Sequence, residues 1–199
     1  MNKLITVIGA SGVGKTTFVS ALAKASSFAT AYEQHTDRPF QHLFKQNKSY
    51  ALANQLDYFL LRAKQEKELR ASQQIGLIDG GLDLDFYGFS RLFLSRNLLS
   101  QPEFELCQRL YLLIRTYLPR PELIIRLDAD VETVASRLSM RDRVNIANAE
   151  DTALFNSYLD EWLAIIPSDQ VLTIDISNES LDYSKSIGIV IENMRSIYN

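Results

Sequence analysis

The stretch that decides the fold is Gly9-Ala10-Ser11-Gly12-Val13-Gly14-Lys15-Thr16-Thr17, which follows an apolar run and opens a segment with helical spacing. A strand, a glycine-rich loop and a helix in this order fit the G-x-x-x-x-G-K-T pattern of a phosphate-binding loop, or P-loop. The glycines allow the backbone to approach a ligand closely, and successive N–H groups point into one concavity. We expect residues 9–17 to bind the phosphates of ATP or GTP, with Lys15 reaching the outer phosphates and Thr16 offering its hydroxyl to Mg²⁺.

Short apolar runs with the pattern of buried strands recur along the chain. They are Leu4 to Ile8, Phe28 to Tyr32, Ile75 to Ile78, Leu123 to Leu127 and Val171 to Ile174. Segments with helical spacing separate and follow them: Gly14 to Ala25, Ser49 to Ser72, Asp85 to Leu99, Pro102 to Tyr117, Val131 to Met140, Thr152 to Ile166 and Leu181 to Ile197. This alternation predicts an α/β fold of the P-loop NTPase class, a five-stranded parallel sheet with helices on both faces. No repeat or linker divides the sequence, so we expect residues 1–199 to form a single domain.

The amino-acid composition of the chain excludes several classes of protein. The chain has 199 residues, 46% hydrophobic and 23% charged, which suits one folded domain rather than a disordered chain. Cys107 is the only cysteine, so a disulfide scaffold is excluded. A net charge of -3 argues against a nucleic-acid polymer as partner. No apolar run has the length of a membrane span or a signal peptide, so we expect a soluble, cytoplasmic protein with no membrane partner.

Two acids stand just past predicted strands and suggest a phosphotransferase. Glu33 follows the second strand and Asp79 the third, and open parallel sheets bind ligands at these strand ends. Glu33 is placed to accept a proton from an acceptor hydroxyl, and Asp79 to bind Mg²⁺ directly or through water. Strand-end acids also occur as solvated loop residues or caps. The chain is short for a motor and lacks the Asn-Lys-x-Asp box of a GTPase, which favours a small-molecule kinase.

An arginine cluster follows the fourth strand. Arg137 and Arg141 are four residues apart and share one helix face, and Arg143 extends the cluster into an irregular segment. Guanidinium groups in this position can clamp a transferring phosphoryl group, whereas a solvated basic face is the alternative. We expect a lid over about residues 137–151, with Lys15, Glu33, Arg137 and Arg141 as the catalytic set.

With these pieces in order, most of the chain resembles the deoxynucleoside kinase family. The resemblance rests on the P-loop, Tyr32-Glu33, Arg38-Pro39-Phe40, the segment Ala53 to Arg62 and the lid pattern R-x-x-x-R-x-R. It implies ATP-dependent transfer of the γ-phosphate to the 5′-hydroxyl of a nucleoside, with Mg²⁺ as cofactor. The substrate would be purine-leaning, and the pocket would be lined by Glu33, Phe44, Gln55, Arg62, Asp85 and Phe89. Family members are usually dimers, so the resemblance also implies a homodimer through Pro102 to Tyr117.

The departures from the family pattern fall on the acceptor side and leave two alternatives open. Gly80 follows Asp79 where the family has an arginine, and Phe44 stands where a tyrosine usually bonds the sugar 3′-hydroxyl. Val144 and Asn145 replace the acidic pair expected behind Arg143. A non-catalytic nucleotide-binding paralogue, or a kinase for another small acceptor such as a nucleoside monophosphate, would also fit these changes.

Overall fold

The fold is built on five parallel strands. The computed structural model describes residues 2–32, 38–139, 149–180 and 182–198. The strands are β1 (Leu4–Ile8), β2 (Ala29–Ala31), β3 (Gly76–Asp79), β4 (Leu123–Asp128) and β5 (Val171–Asp175). Their order across the sheet is β2-β3-β1-β4-β5, and every neighbouring pair is parallel. The first strand therefore lies at the centre, and the P-loop that follows it emerges from the middle of the sheet's carboxyl edge.

Helices connect the strands and cover the sheet. They are α1 (Lys15–Ala25), α2 (Pro39–Gln46), α3 (Ala51–Ala71), α4 (Leu82–Leu84), α5 (Arg91–Ser95), α6 (Gln101–Tyr117), α7 (Val131–Ser139), α8 (Ala149–Leu163) and α9 (Ser184–Tyr198). A π-helical turn over Asp85–Ser90 joins α4 to α5, and 3-10 turns occupy Lys48–Tyr50 and Ser168–Gln170. No helix of the described ranges has both the length and the apolarity to cross a bilayer.

The central strand shows why both faces of the sheet are covered. Ile5 and Val7 point to one face, where they join a buried cluster with side chains of α1 and α9. Ile8 points to the other face and packs in a cluster that contains Phe155 and Trp162 of α8. Helix α3 also packs against β1 and β3. Because successive strand residues face opposite sides, a fully apolar strand needs a helical layer on each.

The predicted fold class is confirmed, with differences at the level of elements. All five predicted strands exist, although β2 covers only Ala29–Ala31. The helix predicted over Asp85 to Leu99 is wrong in form, because this stretch is a π-helical turn followed by the short helix α5. Helix α2 was not predicted; its Pro39 occupies the first helical position, where a missing N–H costs nothing. Met140 and the predicted lid core at residues 140–148 lie outside the described residues.

Candidate active site

The P-loop backbone has the conformation that phosphate binding requires. Gly14 is the N-cap residue of α1 and has a φ of 113°, which a residue with a Cβ atom rarely adopts. A Cβ atom at this position would also lie 2.7 Å from the Tyr183 hydroxyl oxygen. Burial raises the pKa of Tyr183, and nearby Arg137 acts in the opposite direction. Glycine at this position lets the loop pack closely against Tyr183, the residue before α9, and lets α1 start with its N-terminus toward a ligand.

The loop's own carbonyl groups hold Lys15. Its Nζ donates to the carbonyl oxygen of Gly9 at 2.9 Å and to that of Ala10 at 3.0 Å. Lys15 lies in the first turn of α1, so its ammonium group stays at the loop. The structure thus places a positive charge where the sequence predicted one.

The strand-end carboxylate of Asp79 meets the first turn of α1. The Thr16 hydroxyl donates to Asp79 Oδ2 at 2.6 Å, and Asp79 is fully buried. No donor in the described part of the chain reaches the buried Oδ1 atom of Asp79. A carboxylate oxygen beside a hydroxyl is a donor set that suits Mg²⁺, so these two residues fit the predicted metal site. No cluster of three or more His, Cys, Asp or Glu suited to a metal occurs among the residues described, so water and phosphate oxygens would complete the coordination.

Arg137 lies against the P-loop. Its Nη1 donates to the Val13 carbonyl oxygen at 2.5 Å, and its Nη2 donates to the Ile176 carbonyl oxygen at 3.4 Å. The end of α7 is therefore tied both to the phosphate loop and to the segment after β5. The other predicted lid arginines, Arg141 and Arg143, lie outside the described residues, as does the predicted base Glu33.

The predicted nucleoside-binding residues of α3 meet those of the π-helical turn. Arg62 Nε donates to Asp85 Oδ2 at 3.1 Å, and Gln55 Nε2 donates to the Asp85 carbonyl oxygen at 2.8 Å. All three side chains are buried. A guanidinium, a carboxylate and an amide are thus held in one hydrogen-bonded group, as the helical spacing of Gln55 and Arg62 suggested.

Phe44 and Phe89, the predicted aromatic residues of the pocket, belong to different apolar clusters. Phe44 is buried, its ring stacks on that of Phe93 with 5.2 Å between centroids, and the Lys48 ammonium lies 4.1 Å from its centroid. Phe89 is half-buried and packs against Phe155, with 4.9 Å between ring centroids. The structure does not bring these two rings together.

The π-helical turn is held by contacts with α3 and α8, which are distant in sequence. The Asp85 carbonyl oxygen accepts hydrogen bonds from the Ser90 hydroxyl at 3.0 Å and from Gln55 Nε2. At Gly88 a Cβ atom would lie only 2.5 Å from the Phe155 ring. Glycine at this position therefore leaves room for α8 to pack against the turn. π-Helical turns are often found at functional sites. This one sets the positions of Asp85 and Phe89 relative to α3.

Gly80, singled out in the sequence as the residue that replaces an arginine, has a structural role of its own. Its φ is +84°, and a Cβ atom at this position would lie 2.9 Å from Nη2 of Arg62. The Thr6 hydroxyl donates to the Gly80 carbonyl oxygen, which holds the turn against β1. The turn after β3 therefore makes room for the Arg62 guanidinium.

Sequence reasoning missed a buried ionic group behind this turn. Arg115 of α6 donates to Glu66 of α3 at 2.7 and 3.1 Å and to Asp83 at 2.8 and 3.0 Å. The Tyr111 hydroxyl donates to the same Asp83 carboxylate at 2.6 Å. Burial raises the pKa of Glu66, although Arg115 acts in the opposite direction. The four-residue spacing of Tyr111 and Arg115 was the only available signal, because the two acids lie far away in sequence.

The sheet order, the P-loop and the Thr16–Asp79 pair define the P-loop class of phosphate-binding folds. A family model described as deoxynucleoside kinase matches residues 5–198. The chain belongs to the deoxynucleoside kinase family and is therefore a phosphate-transferring enzyme, as the sequence resemblance indicated.

Three similar proteins align with most of this chain, two by sequence and one by structure. Deoxyadenosine/deoxycytidine kinase of Bacillus subtilis is 23% identical over 203 residues, covering 98% of this chain and 93% of the relative. Deoxyguanosine kinase of the same organism is 27% identical over 190 residues, covering 92% and 90%. A solved structure of deoxyadenosine kinase from M. mycoides with bound dCTP superposes with a TM-score of 0.80 at 19% identity, covering 97% of this chain and 99% of that one. The last comparison establishes the shared fold.

Proposed function

We propose that this enzyme transfers the γ-phosphate of ATP to the 5′-hydroxyl group of a purine-leaning (deoxy)nucleoside. The observation that carries the proposal is the pairing of Thr16 with Asp79 at the carboxyl edge of the sheet, beside a P-loop that holds Lys15. The Gln55–Arg62–Asp85 group supplies the acceptor side, with Gln55 and Arg62 on α3 and Asp85 in the π-helical turn that follows β3. The sequence range 1–199 acts as a single domain with a lid at about 137–151.

On the donor side, the loop N–H groups and Lys15 bind the phosphates and offset their negative charge. Arg137, fixed to the Val13 carbonyl, brings the lid to the loop, and Arg141 and Arg143 act on the transferring phosphoryl group. Thr16 and Asp79 would hold Mg²⁺, which when bound would supply positive charge to the phosphate oxygens. Asp79 is suited to this role because its Oδ1 atom has no donor within the described ranges.

On the acceptor side, Glu33 acts as the general base. Its carboxylate takes the proton of the 5′-hydroxyl group while that oxygen forms a bond to the γ-phosphorus. The bond between the γ-phosphorus and the bridging oxygen breaks, and ADP leaves with the electron pair. The products are a nucleoside 5′-monophosphate and ADP, so no other reactant is needed.

The nucleoside base is read by an amide, a guanidinium and a carboxylate. One N–H of the Gln55 amide already donates to the Asp85 carbonyl, which fixes the amide and leaves Oε1 and a second N–H for a base edge. The Asp85 carboxylate accepts and Arg62 donates, so the group offers both kinds of partner. Phe89 adds an aromatic face for stacking. Such a donor and acceptor set can satisfy a purine edge, which supports the purine preference.

Labelled ATP tests the proposal directly. The protein is incubated with Mg²⁺ and a panel of deoxyadenosine, deoxyguanosine, deoxycytidine, thymidine, their ribonucleoside counterparts and nucleoside monophosphates. We expect labelled 5′-monophosphates, with the purine deoxynucleosides giving the highest kcat/KM. Glu33→Gln should lower kcat strongly while ATP binding is kept. Label only on nucleoside diphosphates, or full kcat in Glu33→Gln, would contradict the assigned acceptor or base.

We also propose a homodimer that forms through α3 and α6. These helices contact each other and expose large apolar side chains: Leu60 on α3, and Leu106, Leu112, Leu113 and Tyr117 on α6. Burying this patch against a second copy would remove it from water. Light scattering should report a dimer, and Leu113→Lys should give a monomer. A cytoplasmic location belongs to the same proposal, because Cys107 is unpaired and suits a reducing compartment.

A further inference from the structure

Gln65 makes two directed hydrogen bonds in the interior next to the proposed nucleoside site. It lies on α3, one turn after Arg62, and is only 7% exposed. Its Nε2 donates to the Tyr32 carbonyl oxygen at 2.9 Å, at the end of β2. Its Oε1 accepts from Arg62 Nη1 at 3.1 Å. A buried amide has two distinguishable ends, and here each end has a different partner.

The first of these bonds determines the second. Because the amide nitrogen donates to a backbone carbonyl, the amide oxygen must face the other way, toward Arg62. Two hydrogen bonds then hold the Arg62 guanidinium, from Nη1 to Gln65 and from Nε to Asp85, while Nη2 lies beside the turn at Gly80. An arginine side chain loses much rotational freedom when it is fixed in this way. This side-chain entropy is lost on folding, before any nucleoside binds, so the group is pre-organised for binding.

We propose that Gln65 is a positioning residue for nucleoside binding. It connects the end of β2 to the Arg62–Asp85 pair and orients the guanidinium so that the pair presents a fixed donor and acceptor to the base. Gln65 acts through Arg62 and does not itself contact the nucleoside. The inference rests on the proposed function, because it assigns Gln65 a part in the same acceptor site.

Two substitutions separate orientation from simple filling of space. Gln65→Met keeps the length of the side chain but loses both hydrogen bonds. Gln65→Glu keeps an acceptor for Arg62 while it removes the donor to Tyr32. Leu69→Ala, one turn further along α3, is the matched control because it removes buried apolar volume without touching this group.

Steady-state kinetics of each variant, with nucleoside and ATP varied in turn, tests the proposal. We expect Gln65→Met to raise the nucleoside KM by about tenfold while the ATP KM stays within about twofold of wild type. Gln65→Glu should also raise the nucleoside KM, but by less than Gln65→Met, because it keeps an acceptor for Arg62 and loses only the bond to Tyr32 that orients it. Leu69→Ala should lower the melting temperature and leave both KM values unchanged.

The outcomes distinguish this inference from the proposed function. If the wild-type protein phosphorylates no nucleoside and binds none by calorimetry, the proposed function fails and the inference fails with it. If the wild type is active but Gln65→Met leaves the nucleoside KM unchanged, only the inference is overturned. It is also overturned if the KM values for nucleoside and ATP rise together in Gln65→Met and Leu69→Ala, since this would show a purely structural role.

Discussion

The Thr16 hydroxyl donates a hydrogen bond to the Asp79 carboxylate at 2.6 Å, which joins the first turn of α1 to the carboxyl end of β3. The two residues are 63 positions apart in sequence. They meet because β3 pairs directly with β1, the strand that leads into the P-loop. The same contact leaves Asp79 Oδ1, for which the described residues offer no donor, next to the place where phosphates would bind.

Asp79→Asn tests the metal role of this pair. Asparagine keeps the size and an acceptor for Thr16 but removes the charge that Mg²⁺ requires. We expect transfer in the presence of Mg²⁺ to fall by about 100-fold, roughly 3 kcal/mol of transition-state stabilisation. Asp128→Asn, at the carboxyl end of β4 and two strands away from β3 in the sheet, is the control and should stay within about twofold of wild type. An unchanged Mg²⁺ dependence in Asp79→Asn would contradict the assignment.

Gly80→Ala tests whether the turn after β3 accommodates Arg62. The substitution forces a Cβ atom into a backbone with a φ of +84° and to within 2.9 Å of the guanidinium. We expect a loss of about 1–2 kcal/mol in the free energy of unfolding, together with a higher nucleoside KM. Gly188→Ala in α9 is the opposite case, since nothing lies within 4 Å of its Cβ position. That variant should gain about 0.5–1 kcal/mol in urea unfolding.

Arg137→Lys tests the contact between α7 and the P-loop. A lysine cannot donate to the carbonyl groups of Val13 and Ile176 with the same planar geometry. We expect the ATP KM to rise by about tenfold, with the nucleoside KM within about twofold of wild type. Arg126→Lys on β4, which keeps the charge but loses the guanidinium that joins Asp128 to Asp160, serves as the comparison. Equal changes in both variants would mean that Arg137 has no special relation to the nucleotide.

Glu66 gives the stability a measurable dependence on pH. Burial raises the pKa of Glu66 in the folded protein above its ordinary value of 4.5. At a pH between 4.5 and the raised pKa, the folded protein therefore holds a proton that the unfolded chain has lost. The free energy of unfolding contributed by this group therefore falls as pH rises through that window. Glu66→Gln cannot titrate. The stability of wild type relative to this variant should decrease in urea unfolding as pH rises above about 4.5.

Glu103→Gln should show the opposite sign and so controls for general pH effects. The hydroxyl and backbone N–H of Ser100 lower the pKa of Glu103 in the folded protein. The stability that Glu103 contributes is fully present above the pKa it has in the unfolded chain. It is lost as the pH falls through the lower pKa that Glu103 has in the folded protein. A stability difference for Glu66→Gln that did not change with pH would contradict the assigned pKa direction.

Cys107 should report on global unfolding. It is fully buried on α6, and burial raises the pKa of its thiol to about 11. Because the thiolate is the reactive form, we expect alkylation at pH 8 to be more than about 100-fold slower in the folded protein than in urea. The alkylation rate should follow the unfolding rate across a urea series. Faster labelling in native buffer would show that α6 opens locally.

The sequence was sufficient for those parts of the fold that depend on local pattern. The P-loop, the five strands and the pairing of Gln55 with Arg62 on one helix face all follow from spacing over a few residues. Asp79 could be placed because the residue after a buried parallel strand must lie at the carboxyl edge. The family resemblance added the nucleoside pocket, and the structure brings Gln55, Arg62 and Asp85 together.

The remaining features depend on contacts that are distant in sequence. Glu66, Asp83 and Arg115 come from three separate elements, and no short-range pattern links them. The π-helical turn arises because Phe155 of α8 packs against Gly88 and because Gln55 bonds to the Asp85 carbonyl. From the sequence, Gly80 is interpreted as the replacement of a family arginine. Only the folded structure shows that the Arg62 guanidinium lies against it.

The π-helical turn over Asp85–Ser90 contains one residue more than an α-helical path of the same course. Each residue of an α-helix turns the chain by about 100°, so removing that residue would rotate every side chain beyond it by this angle. Phe89 would leave Phe155, and Phe93 would leave Phe44. The number of residues in this turn therefore determines the direction in which the side chains of α5 point. A single-residue deletion here would be more damaging than most substitutions in the same turn.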